Sequence, residues 1–298
     1  MKIIINEIIA NLTSKLLKIC VTEKSAQAES LWMLEKLLGK TQAELIKEKE
    51  IELTFEQEKK LNEWIKLRIE KNKPLQYILG TVPFLNLEIL VKPPILIPRP
   101  ETEEWCAWLI EKLKIVRDEK IKILDVGAGS GCIALALAKA LPYSNVVGVD
   151  INPDAINLCK KNKEHNKIKN AIFLKSDIYQ ELSQHKKSFD LIVSNPPYIP
   201  EDEYTTLSKQ VVDWEDKKAL VSSENGLMAH KKIVAEAKAY LKPDGPLGAK
   251  NLPSIVIEFG KGQEEPLEEL FEKAGFENIE IHRDLEGVDR WIAGNQKA

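Results

Sequence analysis

Four consecutive residues, Asn195-Pro196-Pro197-Tyr198, carry groups suited to one task. A carboxamide oxygen accepts hydrogen bonds, and a proline offers the backbone only its carbonyl. Asn195 Oδ1 and the Pro196 carbonyl can therefore accept the two N–H bonds of a planar NH₂ group, with Tyr198 covering its flat face. The preceding run, Phe189-Asp190-Leu191-Ile192-Val193-Ser194, has the apolar character of a buried parallel strand. Two prolines cannot continue that strand, so the chain must leave the sheet at Asn195. Ligands of open α/β sheets bind at this carboxyl end. The same residues also make a plain Pro-rich turn, and the rest of the chain has to decide between the two.

A second group of residues points to a cofactor. Asp125-Val126-Gly127-Ala128-Gly129-Ser130-Gly131 follows a strand and opens a helix, and its glycines allow a tight turn and close approach of a ligand. Asp150 ends the next strand, where an acid chelates the two hydroxyls of a ribose. Asp177 ends the third strand, within reach of an adenine amino group, with Ile178 beside the ring. A dinucleotide fingerprint would place its third glycine at Cys132, and a P-loop would need Gly-Lys-Ser/Thr. The spacing here is G-x-G-x-G behind an acid, the pattern of S-adenosylmethionine-dependent methyltransferases. Gly127, Ala128, Gly129, Ser130, Gly131, Asp150, Asp177 and Ile178 are the expected cofactor residues, with Asn195 shared between cofactor and substrate.

These residues need a scaffold, and the chain from Ile121 onward supplies its pattern. Strands are expected at 121–126, 145–149, 171–174, 189–194 and 254–259, with helices at 133–141, 153–166, 226–241 and 265–274. Such alternation predicts a doubly wound, mostly parallel sheet. Segments 279–282 and 290–293 add an antiparallel edge. The fold class is thus α/β, a Rossmann-like class I methyltransferase sheet, preceded by an N-terminal helical bundle. The bundle is expected over 1–75: Leu31, Leu34, Leu37 and Leu38 share a face, Gly39 stops that helix, and Thr54-x-x-Gln57 caps the next. Pro74 is expected to end that second helix. A β-hairpin linker follows over 76–97, then the methyltransferase domain over 98–298. Pro243–Pro253 reads as a loop.

Composition narrows the classes. The chain has 298 residues, 44% hydrophobic and 30% charged, with a net charge of -3. There is no basic excess to hold nucleic acid without specificity. Cys20, Cys106, Cys132 and Cys159 form no CxxC pair and read as free thiols, with no metal site. No apolar run reaches membrane-spanning length.

With these motifs in place, the chain resembles the peptide-chain release factor glutamine methyltransferases, the PrmC/HemK family. The resemblance rests on the N-terminal helices, the region after Gln76–Gly80, Ile97-Pro98-Arg99-Pro100-Glu101-Thr102-Glu103, Asp125–Gly131, Asp150 and Asn195–Tyr198. It implies methylation of the side-chain amide nitrogen (N5) of the glutamine in a Gly-Gly-Gln loop. Asn195, Pro196, Pro197 and Tyr198 would hold that glutamine and form the catalytic clamp. Arg99, Glu101 and Glu103 would shape the substrate mouth. The chain departs from the family pattern at Glu215-Asp216, Asn225-Gly226-Leu227 and Glu258-Phe259-Gly260. Trp105 is similar to fungal mitochondrial members and implies an organellar enzyme, with the cytosol as the alternative.

The expected partner is a release factor, acted on by a monomer that touches no membrane and no nucleic acid directly. Two other readings use the same residues. An adenine or guanine amino-group methyltransferase on DNA or RNA also needs an NH₂ clamp, but the chain lacks a basic tract or an aromatic-rich single-strand groove. A non-catalytic S-adenosylmethionine-binding module would need no clamp.

Overall fold

The structure, a computed structural model, describes residues 2–48, 50–243, 245 and 247–296. The chain forms two compact units, 1–80 with 208–214, and 81–207 with 215–298. Elements are numbered in chain order. The first unit contains β1 (Lys2–Ile4), α1 (Ile5–Leu16), α2 (Glu23–Leu38), α3 (Gln42–Lys47), β2 (Glu50–Glu52), α4 (Phe55–Glu70) and α5 (Leu75–Leu79). Its helix ends follow local chemistry. Thr54 and Gln57 form the expected capping box, and Gly39 adopts the left-handed conformation that closes α2. Leu16, Met33, Leu34, Leu45, Leu61 and Trp64 are among its core residues. Arg68, also buried, makes a two-pronged pair with Glu29 at 2.6 and 2.8 Å.

Three expectations for this region change. The segment is not purely helical, because β1 and β2 pair antiparallel. Pro74 does not end α4, which stops at Glu70; it is the N-cap of α5. The unit also gathers a later segment, where helix α9 (Lys209–Val212) lies and where the Trp214 indole donates to the Lys71 carbonyl.

The second unit begins with a hairpin, β3 (Thr81–Phe84) and β4 (Leu87–Leu90). It belongs to this unit and is not a linker: Asn162 both accepts from the Leu90 amide and donates to the Leu90 carbonyl. The unit continues with α6 (Pro100–Leu113), β5 (Lys122–Val126), α7 (Cys132–Ala140), β6 (Asn145–Asp150), α8 (Pro153–His165), β7 (Ala171–Lys175) and β8 (Leu191–Ser194). Then come α10 (Lys217–Leu220), α11 (Met228–Tyr240), β9 (Ile255–Glu258), α12 (Glu264–Lys273), β10 (Phe276–Arg283) and β11 (Asp289–Gln296). Residues 244 and 246 of the expected loop at 243–253 lie outside the described residues; the remainder includes a short helical turn, Gly248–Lys250.

The sheet has seven strands in the order β10-β11-β9-β8-β5-β6-β7. Strands β9, β8, β5, β6 and β7 run parallel, and β11 runs antiparallel to both neighbours. The central strands are mostly apolar because both faces are covered, with Asp125 and Glu258 as buried exceptions. Leu124, Val149, Ile192 and Ile257 join Ile233 and Val234 of α11 and Phe271 of α12 in one core cluster. The chain winds outward from β5 in one direction through β6 and β7, and in the other through β8 and β9. The crevice between β5 and β8 is therefore the switch point at which such sheets bind ligands. No helix among the described residues is long and apolar enough to cross a membrane.

Candidate active site

Strand register decides which side chains meet at the switch point. Val126 pairs with Ser194 on one side and Val149 on the other, so Gly127, Asp150 and Asn195 emerge from three adjoining strand ends. A cavity of about 660 Å³ opens there, lined by Gly127, Gly129, Asp150, Asp177, Ile178, Asn195, Pro196 and Pro197 among others. A Cβ on Gly127 would come within 3.9 Å of the Asn195 carbonyl oxygen.

The glycine loop has two jobs. Gly127 and Gly129 face the cavity. The Gly127 and Ala128 amides instead both donate to the Val149 carbonyl, at 2.9 and 2.8 Å, which ties the loop to β6. Ala128, Ser130 and Gly131, expected to touch the cofactor, do not line the cavity. The Ser130 carbonyl accepts from Asn162, and Gly131 is needed for packing: at φ 84° a Cβ there would sit 3.1 Å from Cys159 Sγ and 3.3 Å from Phe173.

Asp150 is held by two backbone amides, Gly129 N on Oδ2 at 2.9 Å and Asn152 N on Oδ1 at 2.8 Å. Burial pushes its pKa up, and these two bonds oppose the shift. Each oxygen keeps a second lone pair, which is what two ribose hydroxyls require. Asp177 and Ile178 lie across the cavity, with Ile178 in the left-handed region at φ 53°. The donor set and the shape thus fit S-adenosylmethionine: an oriented acid, a glycine turn without side chains, and an apolar residue beside the expected ring.

At the clamp, Asn195 Nδ2 donates to Thr102 Oγ1 at 2.9 Å. Thr102 in turn donates to Glu258 Oε2 at 2.7 Å, which also accepts from Trp105 Nε1 at 2.7 Å. Thr102, Trp105 and Glu258 are all buried. Burial raises the Glu258 pKa, against the two hydrogen bonds and the nearby Arg290 charge. Tyr198 is placed differently from expectation. Its hydroxyl is 3.4 Å from Glu258 Oε1, its ring lies against Gly260, and it does not line the cavity. Desolvation, with the Glu258 charge, raises its pKa.

Residues 7–80 match the PrmC N-terminal domain family, and residues 117–281 match a methyltransferase domain family. The chain is 36% identical over 271 residues to the release factor glutamine methyltransferase of Geobacter sulfurreducens, spanning 91% of this chain and 90% of that protein. It is 34% identical over 279 residues to the protein of that description in Coxiella burnetii, spanning 94% and 95%. The chain belongs to the release factor glutamine methyltransferase family. Among solved structures, the hMettl16 catalytic domain in complex with the MAT2A 3′UTR hairpin 6 shares the fold, with a TM-score of 0.51 and 15% identity over 82% of this chain and 83% of that one.

In this member of the family, the three charged residues expected at the substrate mouth separate. Arg99 pairs with the buried Glu215 at 2.5 Å, next to Asp216, which lines the cavity. Desolvation raises the Glu215 pKa and Arg99 opposes it. Glu103 is not at the mouth: its carboxylate accepts from the Leu85 amide and secures the hairpin turn. Glu101 stands close enough to Glu258 and Tyr198 to raise both of their pKa values. Sequence reasoning missed Ile95, Asp216, Lys218, Ser222, Met228 and Lys232, which are among the other residues lining the cavity. It also missed Thr102 as the partner of Asn195, and Glu258 and Trp105 as the groups behind Thr102. Gln263 escaped notice as well; it bridges the Tyr198 and Asn225 carbonyls at 2.9 Å each and accepts from Gly260 N.

Proposed function

We propose that this protein transfers the methyl group of S-adenosylmethionine to the side-chain amide nitrogen (N5) of a glutamine, the one in the Gly-Gly-Gln loop of a peptide-chain release factor. One observation carries the reading. Asn195 commits its Nδ2 to Thr102 while its Oδ1 accepts from none of the described residues, beside the crevice formed by Gly127 and Asp150. That oxygen and the Pro196 carbonyl are the acceptors a planar NH₂ group needs.

The bound cofactor supplies an electrophilic sulfonium methyl. The protein supplies orientation. Two acceptors in the amide plane hold the nitrogen so that its lone pair points out of that plane, and they favour the positive charge that nitrogen gains. A neutral nucleophile meeting a cation spreads charge, so no charged catalyst is needed. Alignment of this kind is worth effective molarities of ~10⁵ M or more. The proton leaves a nitrogen made acidic by methylation, and water can take it. His230 is no candidate base: it is buried, its Nε2 meets the Glu258 carbonyl at 2.9 Å, and burial lowers its pKa to about 4.

The substrate reading places the enzyme in translation termination, acting as a monomer on a protein without direct nucleic-acid contact. The mitochondrial compartment is proposed on Trp105 alone, and imaging of the tagged full chain tests it, with a cytosolic signal overturning it. The decisive experiment for activity is mass spectrometry of a release factor incubated with enzyme and cofactor, beside DNA and RNA. Methyl on the Gly-Gly-Gln glutamine is expected. It should vanish with Asn195→Ala while cofactor affinity falls only modestly; near-normal methylation by that variant removes the clamp role. Methyl only on nucleic acid would move the function to the base-modifying class.

A further inference from the structure

We propose that Thr102 is a positioning residue that decides which end of the Asn195 carboxamide faces the substrate, with Glu258 and Trp105 setting the direction of the relay. The inference rests on the amide-methylation reading above.

A carboxamide has two ends of similar shape and opposite hydrogen-bonding sense. A clamp that must accept N–H bonds works with the oxygen forward and fails with the NH₂ forward. Something has to hold one orientation, and the strand end itself does not.

The register of β8 and β9 supplies the means. Ser194 pairs with Ile257, so Asn195 and Glu258 leave adjoining strands side by side. The first two turns of α6 contribute Thr102 and Trp105. An indole N–H can only donate, so Trp105 fixes Glu258 Oε2 as an acceptor at 2.7 Å. Thr102 has one hydroxyl hydrogen and gives it to the same oxygen, also at 2.7 Å. Its Oγ1 then has only lone pairs to offer, and the Asn195 atom facing it at 2.9 Å must be the nitrogen. A flipped amide would set oxygen against oxygen in a dry site, where an unmade hydrogen bond is expensive. Thr102 is 2% exposed and Glu258 and Trp105 are 0% exposed, so water does not offer a substitute partner.

A purely structural Thr102 would contribute packing, and the test separates the two roles. The full-length protein carrying Thr102→Val keeps the side-chain shape and loses the hydroxyl. Its kcat for methyl transfer to a release factor should fall about 10- to 100-fold, the scale of a misaligned reacting group. The KM for the release factor and the calorimetric Kd for S-adenosylmethionine should stay within about twofold, because the change touches only orientation. Thr102→Ser, which restores the hydroxyl, should recover most of kcat. Side-chain ¹⁵N spectra of Asn-labelled protein should show the Asn195 NH₂ protected from exchange in the wild type and in Thr102→Ser, and unprotected in Thr102→Val. If Thr102→Val does not fold, Thr102→Ala, a better helix former, takes its place.

Wild-type kcat together with unchanged Asn195 exchange in the hydroxyl-free variant overturns the proposal. So does a Thr102→Ser variant as slow as Thr102→Val, which would mark packing as the cause. If the wild type transfers no methyl to a release factor while Asn195 protection still depends on the hydroxyl, the relay stands and the amide-methylation reading falls.

Discussion

Asp150 offers the most quantitative test of the cofactor site. Its carboxylate has roughly four lone-pair positions. Two are taken by the amides of Gly129 and Asn152, one on each oxygen. The remaining two are available for the hydroxyls of a ribose. A hydrogen bond to a charged group contributes about 1.5–3 kcal/mol, so losing both costs about 3 kcal/mol at the low end. At about 1.4 kcal/mol per tenfold, Asp150→Ala should weaken S-adenosylmethionine binding on the order of 100-fold. Asp150→Asn has one oxygen in place of two. It can serve one amide and one hydroxyl, and it turns its NH₂ toward the other backbone N–H, so a loss of about tenfold is expected. Titration calorimetry with the cofactor and with its 2′-deoxy analogue separates ribose contacts from loop damage: wild type should lose affinity for the analogue, and Asp150→Ala should not discriminate. Because burial raises the Asp150 pKa, wild-type affinity should also decline on acidification earlier than an exposed aspartate would dictate, and Asp150→Asn should lose that dependence. Unchanged affinity in Asp150→Ala, or equal preference for the two cofactors in the wild type, would refute the ribose assignment.

Two further predictions concern the scaffold. Asp125 is fully buried with Oδ1 unpartnered, and desolvation lifts its pKa from 3.8 to about 7. A raised carboxylate pKa means stability present below pH 3.8 that is lost as pH rises to about 7; Asp125→Asn should therefore gain about 2–3 kcal/mol relative to wild type between pH 5 and pH 8 in urea unfolding, and an equal offset at both pH values would contradict this. At Gly226, φ is 83° and a Cβ would lie 2.0 Å from the Tyr198 carbonyl oxygen, whereas Gly287, at φ 80°, has open space. Gly226→Ala should thus cost about 3 kcal/mol or more and Gly287→Ala about 1 kcal/mol in unfolding midpoints, and similar costs would show that the contact yields freely.

How far the sequence could be read depended on whether a residue's role was local. The strands at β5, β6 and β8 were legible because a parallel sheet covered on both faces leaves near-continuous apolar runs, and the edge strand β7 because residues 171–174 are apolar even though Ile172 and Leu174 are exposed. The capping box at Thr54 and the stop at Gly39 were legible because each is completed within one turn of helix. Asp150 and Asn195 were legible because a strand's end is visible in sequence and the chemistry of α/β sheets gathers there. What stayed hidden was pairing across distance. Nothing in Arg-Pro-Glu-Thr-Glu says that Glu103 serves the Leu85 amide or that Thr102 meets Glu258, more than 150 positions later. Ser208–Trp214 joining the N-terminal unit has the same cause, since the contact between Trp214 and Lys71 leaves no periodic trace.

The two polar anchors of the site share one design. Asp150 uses one lone pair of each oxygen on its own backbone, and Asn195 uses its donor end on Thr102, so each presents a fixed remainder to the cavity. A side chain held this way has little freedom left to lose when a ligand arrives, and that lowers the entropic cost of binding. The arrangement suits the proposed chemistry in particular. Where nucleophile and leaving group need no strong acid, base or metal, acceleration has to come from geometry, and geometry is set here by hydrogen bonds between rigid strand ends and the first turn of one helix. Damage to Thr102, or to the Glu258 that fixes it, should therefore resemble damage to Asn195 itself in kcat while leaving cofactor binding intact.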